Sequence, residues 1–323
     1  MNGAGREVLI GIDLGGTKIE GIALDDRNGV LAGPLRQPTP RHNYAATLSV
    51  IGDLVRDLSV AVDAAADRRK VADVRQPPFP VGCGIPGSIA AATGLVQNAN
   101  SVWLNGRPFA HDLSVALGRP VAVANDANCF ALSEARDGAA AGAGCVFGVI
   151  LGTGCGGGLV VDGRVWRGSL GIAGEWGHTP LPRPGPHESP GPSCWCGRTG
   201  CLEAWLSGPA LAVQYASRAG QVLDVPAIVA ASEAGDRVAR DVIEAHAERF
   251  ARGLATVVNI VDPDVVVLGG GLSNLTHLYR DLPELMRPHL FADDPRVNIR
   301  SPRWGDSGGV RGAAWLAGGV ATA

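Results

Sequence analysis

The chain has 323 residues, of which 46% are hydrophobic and 18% are charged, and its formal net charge is -3. This composition is typical of a globular protein large enough for two domains, and the charge gives no reason to expect nucleic acid or an anionic membrane as a partner. No apolar run approaches the ~18 residues of a membrane span, and the apolar stretch before Asp13 is too brief for a signal peptide. We therefore expect a cytoplasmic protein.

The first third of the sequence predicts a sheet combined with helices. From Glu7, the segments VLIGID, KIEGIALDD and VLAGPLRQ predict three strands in an antiparallel meander. Apolar residues at helical spacing predict a helix over residues 43–66. Three prolines, Pro77, Pro78 and Pro80, then break the chain before a predicted strand at Val81–Ile85.

The remaining sequence predicts a second unit with a related pattern. Residues 121–125 and 146–151 predict strands, residues 127–135 and 236–260 predict helices, and 159–166 predicts a hairpin. A buried strand at 265–268 and a last helix at 308–317 follow. The order of strand, glycine turn and strand at residues 8–22 recurs at 146–161, which indicates two related halves.

Two glycine-rich segments are candidate phosphate loops. DLGGTK at residues 13–18 lies between two predicted strands, so it differs from a Walker A loop, in which a helix follows the lysine. The segment GTGCGGG at residues 152–158 contains G-x-G-x-x-G, but a hairpin follows it where a dinucleotide-binding fold needs a helix. Each segment could instead be an ordinary hairpin turn. As a pair in matching positions, they would bracket the phosphates of a nucleotide.

One histidine and three cysteines have a spacing typical of a closed zinc site. The candidate ligands are His178, Cys194, Cys196 and Cys201. The alternatives are unpaired thiols, or one disulfide with a cysteine left over. The total of seven cysteines does not suit a disulfide framework, and Cys83, Cys129, Cys145 and Cys155 are expected to pack as small hydrophobic residues. Four protein ligands would make the zinc structural.

Acidic and polar residues near these motifs are candidates for catalysis. Asn125 and Asp126 end a predicted strand, where side chains enter the crevice of α/β folds, so Asp126 is the candidate catalytic base. The competing interpretation is a helix cap, and one residue of the pair can cap while the other faces a ligand. Glu175 and Glu203 flank the predicted metal site and, together with the metal ligand His178, are candidate ligands for sugar hydroxyls.

Taken together, these motifs resemble those of the ROK family of sugar kinases nearly from end to end. The matching segments are DLGGTK (13–18), GIPGS (84–88), NDANC (125–129), LGTGCGGG (151–158), GEWGH (174–178), CWCGRTGCLE (194–203), DPDVVVLGGGLSN (262–274) and GVRGAAWL (309–316). The resemblance implies an α/β protein with the duplicated actin/hexokinase-like (ribonuclease H-like) ATPase fold, in which two domains flank a cleft. The smaller domain would comprise residues 1–123 and 304–323, and the larger one residues 124–303 with the zinc loop.

The resemblance also implies roles for individual residues. Asp126 would take the proton from the sugar hydroxyl that attacks the γ-phosphate of ATP, and Asp13 would organise Mg²⁺ through water. The sugar would be held by Gly87, Asn98, Asn100, Asn125, Asp126, Glu175, His178 and Glu203. The nucleotide would be held by Gly11, Asp13, Gly15, Gly16, Thr17, Lys18, Gly152, Thr153, Gly154, Gly156, Gly157, Gly158, Gly270 and Gly271.

The sugar itself is predicted from finer similarities. Residues 98–109, 173–182 and 304–316 are similar to bacterial fructokinases, which favours fructose as substrate and fructose 6-phosphate as product. N-acetylglucosamine kinases share NDANCFALSEA (125–135) and are the nearest alternative, and glucokinases of the family are another. The resemblance leaves the oligomeric state open, with a homodimer as one alternative because family members are often dimers.

Two interpretations without kinase activity compete. Some ROK proteins are transcription regulators with an added N-terminal helix-turn-helix segment, for which a first strand starting near Glu7 leaves no room. A sugar sensor without activity is the other alternative. The presence of Asp126, both glycine segments and Lys18 favours an active kinase.

Overall fold

The computed structural model describes residues 7–69 and 78–319 and is an α/β protein. Its strands are β1 (Val8–Leu14), β2 (Lys18–Asp25), β3 (Val30–Pro38), β4 (Val81–Ile85), β5 (Ser88–Ile89), β6 (Val96–Gln97), β7 (Val121–Asn125), β8 (Cys145–Leu151), β9 (Cys155–Val161), β10 (Arg164–Val165), β11 (Val265–Gly269) and β12 (Ile299–Arg300). Its α-helices are α1 (Tyr44–Arg69), α2 (Phe109–Leu117), α3 (Asp126–Arg136), α4 (Glu203–Leu206), α5 (Gly208–Ala219), α6 (Val225–Glu233), α7 (Arg237–Val261), α8 (His277–Met286) and α9 (Gly308–Ala317).

The chain divides into two compact units. The first holds the described residues up to Ala141, together with Gly158–Ala173 and those from Asp306 onward, and the second holds Gly142–Gly157 and Gly174–Gly305. The boundary predicted at residue 123 would leave α3 outside the first unit. Because α3 packs against α9, the contacts group it with that unit.

The first unit is built on a five-stranded sheet with the order β3-β2-β1-β4-β7. Strands β1 to β3 form the predicted antiparallel meander, whereas β4 and β7 continue the sheet in parallel. Side chains alternate between the two faces of a strand. Ile10 and Ile12 of β1 are fully buried in a core with Leu54 and Leu58 of α1, whereas Gly11 faces α9.

Helix α9 lies close to the first sheet because glycines leave room for its backbone. A Cβ on Gly11 would lie 2.2 Å from the Val310 carbonyl oxygen, and one on Gly82 would lie 1.9 Å from that of Ala313. Such distances exclude any side chain at either position. Gly11 therefore has a packing role in β1, beneath α9. The role in holding the nucleotide that the sequence analysis expected of it stays a prediction.

The second sheet has the order β10-β9-β8-β11-β12, with β8, β11 and β12 running in parallel. Helices α5 to α8 complete the second unit, and α7 packs against the other three. Asp236 caps α7 by accepting a hydrogen bond from the Ala239 amide at 3.0 Å. The buried side chains Phe250 and Leu254 lie on its inner face.

The structure confirms the predicted strands and long helices to within a few residues and corrects one turn. Residues 152–158 are not a single glycine turn, because β9 already begins at Cys155. A Cβ on Gly157 would lie 2.7 Å from the Gly174 carbonyl oxygen, and one on Gly158 would lie 2.3 Å from that of Ala127. Gly156 to Gly158 therefore belong to a closely packed strand. The predicted break at Pro77 lies outside the described residues.

Candidate active site

Two acidic side chains lie at the carboxyl ends of strands in the first sheet. Asp13 is near the end of β1 and Asp126 directly follows β7, with β4 between these strands. The parallel register aligns Asp13 with Gly84 and Gly84 with Ala124. An Asp13 carboxylate oxygen lies 3.4 Å from where a Cβ of Gly84 would be, which places it against the backbone of β4. The carboxyl ends of parallel strands are where α/β folds place their ligands.

Burial and like charges both act on Asp13. Burial, the largest effect, together with the negative charges of Asp126 and Glu20, raises the pKa of Asp13 to about 7, although Lys18 opposes this. At neutral pH a large fraction of Asp13 is therefore protonated when no cation is bound. A divalent cation would favour the charged form, and a carboxylate oxygen is a ligand that suits Mg²⁺.

The turn between β1 and β2 is held by hydrogen bonds within the turn and from residues that follow β3. The Gly15 amide donates to the Lys18 carbonyl oxygen at 3.0 Å, and the Thr39 hydroxyl donates to the Gly15 carbonyl oxygen at 2.7 Å. Arg41 Nε donates to the Gly16 carbonyl oxygen at 3.0 Å. Gly16 and Thr17 are exposed, and no atom lies within 4 Å of a Cβ built on Gly16. The turn thus leaves room for a ligand to approach its backbone.

Lys18 is held by a buried carboxylate that the sequence analysis did not single out. Glu20 is only 2% exposed, and its Oε2 accepts hydrogen bonds from Lys18 Nζ at 2.8 Å and from Arg36 Nε at 2.7 Å. Burial alone would raise the pKa of Glu20, but these two cations outweigh it and hold that pKa below its usual range. Glu20 therefore stays charged and fixes the lysine at the end of the turn.

Asn125 caps α3 and connects it to the Gly87 loop. Its Oδ1 accepts from the Ala127 amide at 2.9 Å, and its Nδ2 donates to the Gly87 carbonyl oxygen at 3.1 Å. The helix cap is thus supplied by Asn125, and Asp126 is the first residue of α3. Asp126 Oδ1 also accepts from the Ala127 amide, at 2.7 Å.

The loop of residues 98–100 lies beside Gly87. Gly87 has a φ of +105°, and a Cβ there would lie 2.8 Å from the backbone of Ala99. Asn98 and Asn100 on either side of Ala99 are exposed. Asn105, which the sequence analysis missed, fixes this loop by bonding both the amide and the carbonyl of Ala99 at 2.9 Å. The first unit therefore brings together Gly87, Asn98, Asn100 and Asn125.

In the second unit, the turn between β8 and β9 corresponds to the 13–18 turn. It is closed by a hydrogen bond from the Gly152 amide to the Gly154 carbonyl oxygen at 3.0 Å, and Thr153 at its tip is exposed. The Gly208 amide donates to the Gly152 carbonyl oxygen at 2.8 Å. A Cβ on Gly152 would lie 3.8 Å from the Gly271 amide, so the predicted nucleotide residues Gly270 and Gly271 adjoin this turn.

The predicted hydroxyl ligands of the second unit also lie near one another. Glu203 begins α4, and its Oε2 accepts from the Cys155 amide at 2.9 Å. Glu175 precedes a 3-10 helix, Trp176–His178, whose Trp176 is buried and donates from Nε1 to the Gly156 carbonyl oxygen at 2.9 Å. Burial is the main cause that raises the pKa of Glu175, and Glu203 raises it further, whereas His178 lowers it.

The four predicted metal ligands converge. The donor atoms of His178, Cys194, Cys196 and Cys201 all lie within 4.8 Å of one another, and all seven cysteines of the chain are free thiols. The His178 Nδ1 to Cys194 Sγ distance is 3.6 Å, and the Cys196 Sγ to Cys201 Sγ distance is 3.7 Å. Tetrahedral zinc bonds of about 2.3 Å to sulfur and 2.0 Å to nitrogen would separate such atoms by about 3.5 and 3.8 Å. The donor set and its spacing therefore fit zinc.

Comparison with known proteins agrees with this arrangement. Residues 9–319 match the model of the ROK family. The chain is 42% identical over 310 residues to the N-acetyl-D-glucosamine kinase of Citrobacter koseri, covering 95% of this chain and 98% of that protein.

Solved structures give the same result. A ROK hexokinase from Thermus thermophilus is 33% identical with a TM-score of 0.79, covering 97% of this chain and 99% of that one. A ROK family glucokinase from Streptomyces griseus, solved with glucose and AMPPNP, is 27% identical with a TM-score of 0.71, covering 96% and 98%.

The chain is therefore an α/β phosphotransferase of the actin/hexokinase-like fold that acts on an alcohol group of a sugar. It belongs to the ROK family. Both statements agree with the sequence-based prediction. Within the described residues, no helix is long and apolar enough to span a membrane.

Proposed function

We propose that this protein is an ATP-dependent N-acetyl-D-glucosamine kinase. The observation that carries the proposal is the 42% identity to such a kinase over 310 residues, which covers nearly all of both chains. Other relatives at 38 to 41% identity, from Pasteurella, Haemophilus, Escherichia, Mannheimia and Salmonella, bear the same name. None of these relatives supports the fructose preference that the sequence suggested, and they favour its stated alternative.

In the proposed reaction, Asp126 accepts the proton of the attacking sugar hydroxyl. Its position after a parallel strand, beside the carboxylate of Asp13, suits a base at the reacting end of the site. General-base catalysis of this kind contributes about 10²- to 10⁴-fold to the rate. Positioning and charge neutralisation supply most of the remainder in phosphoryl transfer.

In the first unit, the 13–18 turn would hold the nucleotide, with Thr17 at its tip and Lys18 as the cation. In the second unit, the turn with Thr153 at its tip would hold the nucleotide, and Gly270 and Gly271 would lie near the adenosine. Mg²⁺ would neutralise phosphate charge, and Asp13 would organise it through water. The sugar would be held by the loop at Gly87, Asn98 and Asn100, and by Asn125, Glu175, His178 and Glu203. We propose that zinc bound by His178 and the three cysteines is structural, because no open position remains for a catalytic water. It would fix the two segments that carry Glu175 and Glu203.

A hexose panel tests the proposed substrate. ADP release with Mg²⁺ and ATP should be compared for N-acetylglucosamine, N-acetylmannosamine, glucose, mannose and fructose. We expect kcat/KM for N-acetylglucosamine to exceed that of every other sugar by at least about tenfold, which is a difference of about 1.4 kcal/mol in transition-state stabilisation. A higher kcat/KM for fructose would restore the sequence-based preference and overturn this proposal. The expected product is the 6-phosphate, which NMR of the isolated product identifies.

A further inference from the structure

Glu203 has both carboxylate oxygens bound to donors from different segments of the second unit. Its Oε1 accepts from the indole Nε1 of Trp195 at 2.5 Å, and its Oε2 accepts from the Cys155 amide at 2.9 Å. The first donor belongs to the metal-ligand loop and the second to the start of β9. Short hydrogen bonds to a charged carboxylate are strong and directional, so these two donors fix the plane of the Glu203 carboxylate.

The position of the Trp195 indole follows from the metal-ligand loop. Trp195 lies between the ligands Cys194 and Cys196, and its ring meets the His178 ring edge to face with centroids 5.2 Å apart. Yet the side chain is 61% exposed, so core burial does not explain a tryptophan here. What the indole offers at this point is a rigid N–H group directed at Glu203.

Solvent can compete for the same carboxylate oxygen. Glu203 and Trp195 both line an open cavity of about 590 Å³, together with Thr153 and Trp205. If the indole N–H were absent, water from this cavity could bind Oε1 and the carboxylate could turn about its last torsion, which is broad for glutamate. The Cys155 amide alone would then hold only one oxygen.

We propose that Trp195 is a positioning residue that orients Glu203 for hydrogen bonding to the sugar. The inference rests on the proposed function, in which Glu203 is a sugar ligand. We therefore expect Trp195 to affect sugar binding more than nucleotide binding or the rate of phosphoryl transfer. The proposed base Asp126, which acts on the attacking hydroxyl, belongs to the first unit, whereas Trp195 belongs to the second.

Trp195→Phe tests this inference, since phenylalanine keeps an aromatic ring against His178 and removes the N–H. We expect the KM for the sugar to rise about tenfold, the size of effect expected for one lost hydrogen bond to a charged group. The KM for ATP, kcat, the metal content and the melting temperature should stay close to the wild-type values. Trp166→Phe is the matched control, because Trp166 is similarly exposed at 57% and is not among the proposed site residues.

A second variant separates the N–H from the shape of the ring. Benzothienylalanine at position 195 replaces the N–H with sulfur and keeps the fused ring, so packing in the metal-ligand loop is preserved. The inference is supported if both variants raise the sugar KM while Trp166→Phe does not. It is overturned if the benzothienylalanine variant binds sugar within twofold of wild type, or if the ATP and sugar KM values rise equally.

The wild-type hexose panel keeps this test separate from the proposed function. If the wild-type enzyme prefers another hexose, the proposed substrate is wrong, and the comparison of variants is repeated with the preferred sugar. If the KM values for ATP and for sugar rise equally in the variants of that comparison, the result refutes the role of Trp195 and leaves the kinase activity untouched.

Discussion

Asp13 and Glu20 lie directly opposite each other across the antiparallel pair of β1 and β2. Like charges at opposed positions repel one another, and the two cations Lys18 and Arg36 bind Glu20 directly. Glu20 therefore keeps its charge while the pKa of Asp13 rises to about 7. The first sheet thus holds an acidic side chain whose ionisation is unfavourable until a cation arrives.

This unfavourable ionisation predicts a dependence of stability on pH. The pKa of Asp13 is raised from 3.8 in the unfolded chain to about 7 in the folded one, so the folded protein binds more protons between these values. The contribution of Asp13 to stability is greatest below pH 4 and falls as the pH rises to 7. Asp13→Asn should therefore raise the melting temperature relative to wild type, and this difference should grow from pH 5 to pH 8.

Thermal unfolding without nucleotide or Mg²⁺ measures this difference, and activity provides a second readout. The variant should lose most of its turnover even where it is more stable, because a carboxylate suited to Mg²⁺ is gone. Glu20→Gln is the comparison variant. Removing the charge opposite Asp13 should lower the pKa of Asp13, so the pH range over which stability falls should end at a lower pH than in wild type. A melting-temperature difference that stays constant from pH 5 to pH 8 would contradict the assignment.

Replacing Asp126 should affect the reaction and leave the fold intact. Asn125 supplies the cap of α3, so Asp126→Asn keeps that hydrogen bond and the volume of the side chain. We expect kcat to fall by about 10²- to 10⁴-fold, with a metal content like that of wild type. The melting temperature should be no lower than that of wild type, because the charge of Asp126 helps to raise the pKa of Asp13. ADP release at saturating sugar and ATP measures this, and Asp57→Asn on the exposed face of α1 is the control. Near-native turnover would remove Asp126 as the base.

Loss of one metal ligand should weaken stability and sugar binding together. Cys201→Ser replaces a buried thiol of the metal cluster, and serine is a poor zinc ligand. We expect the variant to lose bound zinc, melt at a lower temperature and show a higher KM for sugar. Elemental analysis and thermal unfolding measure the first two effects. Cys145→Ser, outside the cluster and half-buried, should retain the metal; a wild-type protein without zinc would refute the site.

The sequence predicted those elements that have a strong local signal. Alternating or continuous apolar runs gave Val81–Ile85 and 121–125 correctly, and the cysteine spacing gave the four converging donors. Glycines were harder, because a glycine allows both a turn near a ligand and close packing of backbones. Only the structure distinguishes Gly16, with open space beside it, from Gly11, which lies beneath α9.

The supporting residues around the candidate site had no signal in the sequence. Glu20, Asn105 and Trp195 act by hydrogen bonding to other side chains or to loop backbone, and such pairings depend on the register of strands and the course of loops. Asn105 fixes Ala99 six residues away, and Trp195 reaches Glu203 eight residues away. A motif can indicate which residues meet a ligand, but it does not show which neighbours hold them in place.

The proline-rich loop after Leu181 is held by an ion cluster in addition to the metal ligands. Glu188 accepts hydrogen bonds from Arg249 Nε at 2.7 Å and Arg252 Nη2 at 2.8 Å, and from the Gly185 amide at 2.9 Å. Burial alone would raise its pKa, but these donors lower the pKa of Glu188 to about 2. The stability that it contributes is therefore complete above pH 4.5 and is lost as the pH falls toward 2.

Glu188→Gln should remove the carboxylate that two buried guanidinium groups share. Arg249 and Arg252 are 8% and 6% exposed, so we expect a loss of about 3 kcal/mol in the free energy of unfolding at pH 7. Urea unfolding measures this loss, which should shrink between pH 4.5 and pH 3 as the wild-type carboxylate begins to be protonated. Glu248→Gln removes an exposed partner of Arg252 and should cost less than about 1 kcal/mol. Equal losses in the free energy of unfolding in both variants would mean that the buried ion pairs of Glu188 stabilise the protein no more than the exposed pair of Glu248.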